Sequence, residues 1–275
     1  MLDISRLTAG LEQREPGIWF TSGTTVVSYP AHGNVACLAV EDSSFWFRHR
    51  SRCIAALVTR FRTEGFFLDV GGGNGFVART LVAQGIPCVL IEPGVEGARA
   101  ARARGIDPVI CATLADAAIA DASCGSAGMF DVLEHIGNEL AALSEVHRVL
   151  RPGGAFFLSV PAYQFLFSAD DAAAGHFRRY SAARLARVLT AAGFKITFQT
   201  YMFAPLPPIV FAARTVPSRL GLHRGADVAR NEAEHTKKGF SAYLMDRLLD
   251  AEYRWIAAGH SVPFGGSCLC VAHKI

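Results

Sequence analysis

A glycine-rich stretch at residues 67–75 constrains the fold of this chain more than any other part. Its sequence FLDVGGGNG carries an acid, Asp69, at the end of an apolar run and places Gly71, Gly73 and Gly75 at alternate positions. Glycines let the backbone adopt positive φ and let a ligand approach closely. The amphipathic segment that follows predicts a helix whose unpaired N–H groups point at that ligand. The pattern therefore predicts a strand, a tight turn and a helix that together bind a nucleotide cofactor.

The spacing of the turn discriminates between kinds of cofactor. The dinucleotide fingerprint requires glycine at the sixth position counted from Gly71, where this chain has Phe76. The spacing from Asp69 to Gly75 instead resembles the first motif of class I S-adenosylmethionine-dependent methyltransferases. In that family an acid at the end of the next strand holds the ribose hydroxyls, and Glu92 ends the run PCVLIE. The resemblance implies S-adenosylmethionine as cofactor; a non-catalytic S-adenosylmethionine-binding protein and an NAD-linked oxidoreductase stay open as alternatives.

Composition narrows the class of protein and its surroundings. Of 275 residues, 51% are hydrophobic and 19% are charged, which is typical of a globular protein with a large core. The net charge of +3 comes without a basic stripe, so we expect no nucleic-acid partner. Seven cysteines without zinc spacing indicate a reducing cytoplasm. We expect no transmembrane segment, because the longest apolar stretch, 201–213, is short and rich in proline; peripheral contact with a membrane stays open.

Apolar runs and helical segments alternate from residue 66 onward. Five β-α units in sequence require a parallel sheet with helices on both faces, and ligands of such sheets lie beyond the carboxyl ends of the strands. The predicted strands are 66–70, 87–92, 108–112, 126–131, 155–160, 194–202 and 265–274.

The residues before this alternation predict a separate cap. The pieces IWF, TTVVSYP and VACLAV favour short strands or a hairpin. The segment SFWFRHRSRC that follows predicts a lid helix with Ser43 or Ser44 as N-cap.

A second motif makes the resemblance more specific. The sequence DVLEHI at 131–136, followed by RVLRPGG at 148–154, is similar to the methyltransferase branch that includes ubiquinone-pathway and other small-molecule O-methyltransferases. The resemblance implies an α/β fold: a Rossmann-like, doubly wound, seven-stranded sheet of order 3-2-1-4-5-7-6 with an antiparallel last strand. The implied divisions are an N-terminal cap and lid helix at 1–60, a cofactor-binding core at 61–202, a helical insertion beside the substrate pocket at 203–262 and a final core strand at 263–275.

The resemblance also assigns residues to the cofactor. The contacts lie in the glycine turn and at the ends of the second, third and fourth strands: Asp69, Gly71, Gly73, Gly75, Glu92, Pro93, Ala112, Thr113, Phe130 and Asp131.

Three roles are open for the acidic and histidine residues of the second motif. Asp131, Glu134 and His135 can bind a divalent cation that acidifies a hydroxyl nucleophile, although no metal is expected. Alternatively, His135 is a general base, as is His176 further along the chain, because the unperturbed pKa of histidine lies near working pH. In the third alternative these side chains only shape the pocket.

Substrate contacts are predicted in two segments. The loop after the fifth strand contributes Tyr163, Arg178, Arg179 and Tyr180, and the lid helix contributes Trp46, Arg48 and Arg50. The alternatives are pairing of the loop arginines with Asp170 and Asp171, and core packing of the lid aromatics. The expected reaction is transfer of a methyl group to a small molecule, with a hydroxyl oxygen as acceptor, by proximity and orientation. A phenol or quinone precursor, a glycan sugar and a specialised metabolite all stay open as acceptors, as does the oligomeric state.

Overall fold

The computed structural model describes residues 4–8, 10–21, 28–30, 33–222 and 240–275. Helices cover both faces of one nine-stranded mixed sheet. The strands are β1 Glu12–Glu15, β2 Ile18–Phe20, β3 Phe67–Val70, β4 Cys88–Ile91, β5 Val109–Cys111, β6 Cys124–Phe130, β7 Leu150–Pro161, β8 Phe194–Met202 and β9 Ser267–Lys274. The α-helices are α1 Ile4–Leu7, α2 Gly33–Val40, α3 Phe45–Phe61, α4 Phe76–Ala83, α5 Val95–Ala103, α6 Glu139–Val149, α7 Ala169–Ala173, α8 Ala182–Ala191, α9 Leu206–Val210, α10 Val216–Arg219 and α11 Phe240–Ala257.

The sheet confirms a Rossmann-like α/β fold but has two more strands than expected. Its order is β1-β2-β5-β4-β3-β6-β7-β9-β8. The prediction of seven strands was wrong, because β1 and β2 form a hairpin at the N-terminus and β2 pairs in parallel with β5. This pairing covers what would otherwise be an open sheet edge. The whole order therefore differs from the expected one, while β3 to β9 keep their expected relative order. The last strand, β9, is antiparallel to both β7 and β8.

The N-terminal segment also departs from its predicted secondary structure. The run VACLAV was expected as a strand, but it lies in helix α2. A short apolar run does not by itself distinguish a strand from a helix. Most of the TTVVSYP piece lies outside the described residues. The helix predicted for SFWFRHRSRC is confirmed as α3, and Ser44 is its N-cap, whose side chain accepts hydrogen bonds from the backbone N–H of Trp46 and Phe47.

Two hydrophobic clusters hold the helices against the two faces of the sheet. Helix α3 packs its buried Cys53, Ile54 and Leu57 into one of them. Helix α11 packs on α3, and the buried carboxylate of Glu252 lies 2.7 Å from Nε2 of His49. Helix α3 is therefore fixed to the sheet on one side and to α11 on the other.

Candidate active site

A cavity of about 860 Å³ opens at the carboxyl ends of the central parallel strands, where ligands of such sheets bind. This volume lies within the range of small-molecule and cofactor sites. Its walls include twelve of the residues singled out in the sequence: Trp46, Arg50, Asp69, Gly71, Gly73, Glu92, Pro93, Ala112, Thr113, Phe130, Asp131 and His135.

The glycine turn is shaped by close packing as well as by backbone conformation. Gly71 and Gly73 have φ of 70° and 54°, which favours glycine. A Cβ added at Gly71 would lie 2.6 Å from a methyl group of Val132. Gly75 does not line the cavity; it begins α4 with φ of 75°, and a Cβ there would lie 3.0 Å from Cβ of Ala101. Gly75 therefore permits close packing of α4 on α5, while its predicted cofactor contact stays a prediction.

Glu92 faces the glycine turn from the end of β4. One carboxylate oxygen accepts a hydrogen bond from the backbone N–H of Gly73 at 2.9 Å. The other accepts from the N–H of Gly94 at 2.8 Å and from the side-chain amide of Asn34 at 3.2 Å. Burial raises the pKa of Glu92. The carboxylate is therefore held rigidly at the position expected of a ribose-binding acid.

Helix α2 is attached to this turn by residues that sequence reasoning missed. The side-chain amide of Asn74 donates to the backbone carbonyl of Asn34 at 2.8 Å and to the carboxylate of Glu41 at 3.0 Å. Glu41 also forms a buried ion pair with Arg104 of the segment after α5. Asn74 lies inside the glycine turn, so its position was visible in the sequence, but its partners lie far away along the chain.

An arginine and an aspartate close the cavity at the end of β6. Nε of Arg50 lies 2.6 Å from Oδ2 of Asp131, and its guanidinium donates to the backbone carbonyl of Phe130 at 2.6 Å. The same guanidinium lies 5.0 Å from the ring centre of Trp46. Nearby, burial raises the pKa of Asp69 to about 7. Trp46 and Arg50 thus form one wall with the strand ends.

Behind Asp131 lies a cluster of the buried Glu134 and the half-buried His135 and His176. The carboxyl of Glu134 is fully buried, and burial together with Asp131 raises its pKa well above the usual range. Burial and then the neighbouring His176 lower the pKa of His135 to about 4, so its imidazole is neutral at neutral pH. The two imidazole rings meet edge to face with centroids 4.6 Å apart. His135 lines the cavity, while His176 lies behind it and bonds to Asp171 through Nδ1 at 2.9 Å.

The structure places the other predicted substrate residues outside the cavity. Arg48 lies two residues before Arg50 in α3, which is about 200° around the helix axis. Arg48 therefore lies on the opposite side of the helix and is exposed. Tyr163 stacks on Tyr201 with ring centroids 5.2 Å apart. Their predicted contact with substrate is therefore not supported by their positions.

The loop arginines and Tyr180 fix the polypeptide rather than face the cavity. Arg178 donates to the backbone carbonyls of residues 136 and 137 at 2.7 and 2.9 Å. Arg179 binds both carboxylate oxygens of Asp171, as the alternative of loop ion pairs stated. The buried hydroxyl of Tyr180 donates to Glu139. These contacts join the loop after β7 to the loop after β6 and give the three residues structural partners, while their substrate role stays a prediction.

The sheet, the glycine turn and the buried acid at the end of β4 define a Rossmann-like domain that binds a nucleotide-type cofactor. A family model described as a methyltransferase domain matches residues 46–199. The chain belongs to that family and is a class I S-adenosylmethionine-dependent methyltransferase. The oxidoreductase and non-catalytic alternatives are thereby set aside.

Similar proteins agree with this family assignment, and their matches cover different shares of this chain. A probable S-adenosylmethionine-dependent methyltransferase of Mycolicibacterium smegmatis is 27% identical over 229 residues, which cover 82% of this chain and 80% of the relative. A ubiquinone biosynthesis O-methyltransferase of Vibrio parahaemolyticus is 28% identical over 108 residues, 36% of this chain and 46% of the relative, so the match spans less than half of that enzyme. Among solved structures, phosphoethanolamine N-methyltransferase 2 of Haemonchus contortus in complex with S-adenosyl-L-methionine superposes with a TM-score of 0.56. The match covers 93% of this chain and 61% of that chain. Because the identity is 17%, this likeness shows the fold alone. None of the described helices is long and apolar enough to cross a membrane.

Proposed function

We propose that this enzyme transfers the methyl group of S-adenosylmethionine to a hydroxyl oxygen of a small, largely apolar molecule. The observation that carries the proposal is the continuity of one cavity from the glycine turn, past Asp131 and His135, to an apolar wall that includes Tyr29, Ile136 and Phe177. A cofactor and an acceptor can therefore lie side by side. The similarity to a ubiquinone biosynthesis O-methyltransferase supports oxygen as the acceptor atom.

The polar groups at the strand ends support the proposed cofactor position. The carboxylate of Glu92 is the acceptor proposed for the ribose hydroxyls, and Pro93, Ala112 and Thr113 are proposed to flank the base. The glycine turn then lies beneath the methionine portion, which ends near Phe130 and Asp131. In this position the ion pair of Arg50 with Asp131 fixes the wall beside the reactive sulfur.

The acceptor side is proposed to use Trp46, Arg50 and the histidine pair. When bound, S-adenosylmethionine supplies a methyl group on a positively charged sulfur; transfer to oxygen breaks the S–C bond, forms the O–C bond, leaves the sulfur as a neutral thioether and gives the hydroxyl proton to solvent. The protein orients the acceptor so that its oxygen lies in line with that methyl group. His135 contacts the acceptor hydroxyl from the cavity wall, and His176 acts from behind it through its contact with His135.

Two measurements test this proposal. Isothermal titration should show binding of S-adenosylhomocysteine and no binding of NADH. Incubation with methyl-labelled donor should then label catechols but not the anilines of the same shape. Label on the amines alone would refute oxygen as the acceptor atom, and binding of NADH in place of S-adenosylhomocysteine would refute the cofactor position.

A further inference from the structure

Three potential metal ligands converge beside the acceptor end of the cavity. One ligand atom from each of Glu134, His135 and His176 lies within 4.8 Å of the other two. Two atoms bound to one metal at about 2.1 Å are at most about 4.2 Å apart, so the separations of these three atoms exceed that limit by about 0.6 Å at most. Among the described residues, no other group of three histidine, cysteine or acidic side chains is gathered in this way.

The surroundings of the Glu134 carboxyl indicate that a cation binds beside it. It is fully buried, and neither of its oxygens accepts a hydrogen bond from another described residue. A carboxylate in such surroundings is costly unless a cation compensates it. The neighbouring guanidinium groups are engaged elsewhere, Arg50 with Asp131 and Arg179 with Asp171. Nδ1 of His135 is likewise buried without a hydrogen-bond partner in the described part of the chain.

His176 is oriented as metal-binding histidines commonly are. Its Nδ1 lies 2.9 Å from the carboxylate of Asp171, which leaves Nε2 as the atom able to bind a ligand. Asp171 is itself buried and fixed by Arg179 and by the backbone N–H of Ser168 at 2.9 Å. A carboxylate that holds the second nitrogen of a histidine fixes its tautomer and strengthens its bond to a metal.

The ligand set implied by the family resemblance does not fit this structure. That set would use Asp131 with Glu134 and His135. Oδ2 of Asp131 lies 2.6 Å from Nε of Arg50, and its Oδ1 accepts a hydrogen bond from the hydroxyl of Ser159 at 3.3 Å. Its carboxylate is therefore already compensated and stands on the cofactor side of the cluster.

We propose that Glu134, His135 and His176 form a binding site for one divalent transition-metal ion, with Asp171 orienting His176. Two imidazoles and one carboxylate favour ions such as Mn²⁺, Fe²⁺, Co²⁺ or Zn²⁺ over Mg²⁺ and Ca²⁺, which prefer oxygen ligands. Three protein ligands leave coordination positions for an acceptor hydroxyl. That role rests on the proposed function, whereas the site itself does not.

Titration of the chelator-treated full chain with Co²⁺ tests the site directly, because Co²⁺ absorbs visible light when it is bound. We expect one equivalent to bind the unsubstituted protein. His176→Gln and Glu134→Gln should each weaken binding at least 100-fold, and Asp171→Asn about 10-fold to 100-fold. Asp131→Asn should retain affinity within threefold. The exposed His260→Gln variant is the control for adventitious binding and should be unchanged.

Three results would overturn the proposal: no Co²⁺ binding below 1 mM, unchanged affinity in His176→Gln, or an equal loss in Asp131→Asn and His176→Gln. Thermal unfolding keeps the test independent of misfolding, since Glu134→Gln replaces the buried carboxyl with an uncharged amide of the same shape and should unfold at a temperature at least as high as the metal-free protein. Added Zn²⁺ should raise the unfolding temperature of the unsubstituted protein but not of Glu134→Gln. Because neither donor nor acceptor is present, failure of this test is separate from failure of the hydroxyl-acceptor proposal.

Discussion

Replacement of Glu92 by glutamine tests the proposed cofactor position most directly. The carboxylate now accepts hydrogen bonds from two backbone N–H groups at 2.9 and 2.8 Å and from Asn34. Glutamine substitutes an NH₂ donor for one of these acceptor oxygens, so that donor faces donor. It also removes the charge that strengthens bonds to the ribose hydroxyls, each worth about 1.5–3 kcal/mol. Losing about 3 kcal/mol in total corresponds to roughly 100-fold weaker binding.

Isothermal titration with S-adenosylhomocysteine measures this loss. Glu96→Gln is the matched control, because Glu96 lies in the first turn of α5 and its exposed carboxylate pairs at the surface with Arg99 at 3.3 Å. We expect the control to bind within twofold of the unsubstituted protein and Glu92→Gln to bind about 100-fold more weakly. Equal affinities for the two variants would refute the position of the ribose at Glu92.

Three further predictions concern the same cavity. Because the pKa of Asp69 is raised to about 7, the folded state keeps a proton that the unfolded state has lost, so stability falls as pH rises from about 4 to 7. Between pH 5 and 8 the Asp69→Asn variant should lose about 2.5 kcal/mol less free energy of unfolding than the unsubstituted protein, as measured by urea unfolding. An equal loss in the two proteins would contradict the raised pKa. Gly71→Ala should lower the unfolding temperature by several degrees, because it combines φ of 70° with a contact of 2.6 Å to Val132; no shift would show that the turn relaxes freely. Arg50→Lys keeps the charge but not both contacts, to Asp131 and to the carbonyl of residue 130, and should weaken S-adenosylhomocysteine binding about tenfold by calorimetry; unchanged affinity would show that this wall does not position the cofactor.

The central strands were predictable from the sequence because each is a buried apolar run between clear turn signals. The residues of β3 and β4 are all buried, and such runs reveal a parallel sheet with both faces covered. The hairpin β1–β2 was not placed in the sheet, since it is attached there by the parallel pairing of β2 with β5, in which Ile18 lies opposite Val109 and Phe20 opposite Cys111. That contact is long-range and leaves no periodicity in either segment.

The cofactor half of the site was more accessible to sequence reasoning than the acceptor half. Gly71, Gly73 and Glu92 carry constraints of backbone conformation and charge that require particular residue types. Helical periodicity distinguishes the cavity-lining residues of α3 from the exposed one. Trp46 and Arg50 are four residues apart and share a face of the helix, whereas Arg48 lies on the opposite face. By contrast, nothing in the residues around Asn34 indicates that its amide reaches Glu92.

The histidine cluster illustrates how chain proximity and spatial proximity can differ. Asp131 is near Glu134 and His135 in sequence, but the chain leaves β6 through a left-handed conformation at Asp131, with φ of 57°, and its carboxylate meets Arg50. His176 is remote in sequence, but the loop after β7 returns to the loop after β6, where the N–H of residue 177 donates to the carbonyl of Glu134 at 2.8 Å. Backbone pairing of two loops, rather than motif spacing, therefore brings His176 next to His135. A ligand set chosen by spacing and one chosen by packing differ in a single residue, which is why Asp131→Asn should leave the Co²⁺ affinity nearly unchanged while His176→Gln should weaken it.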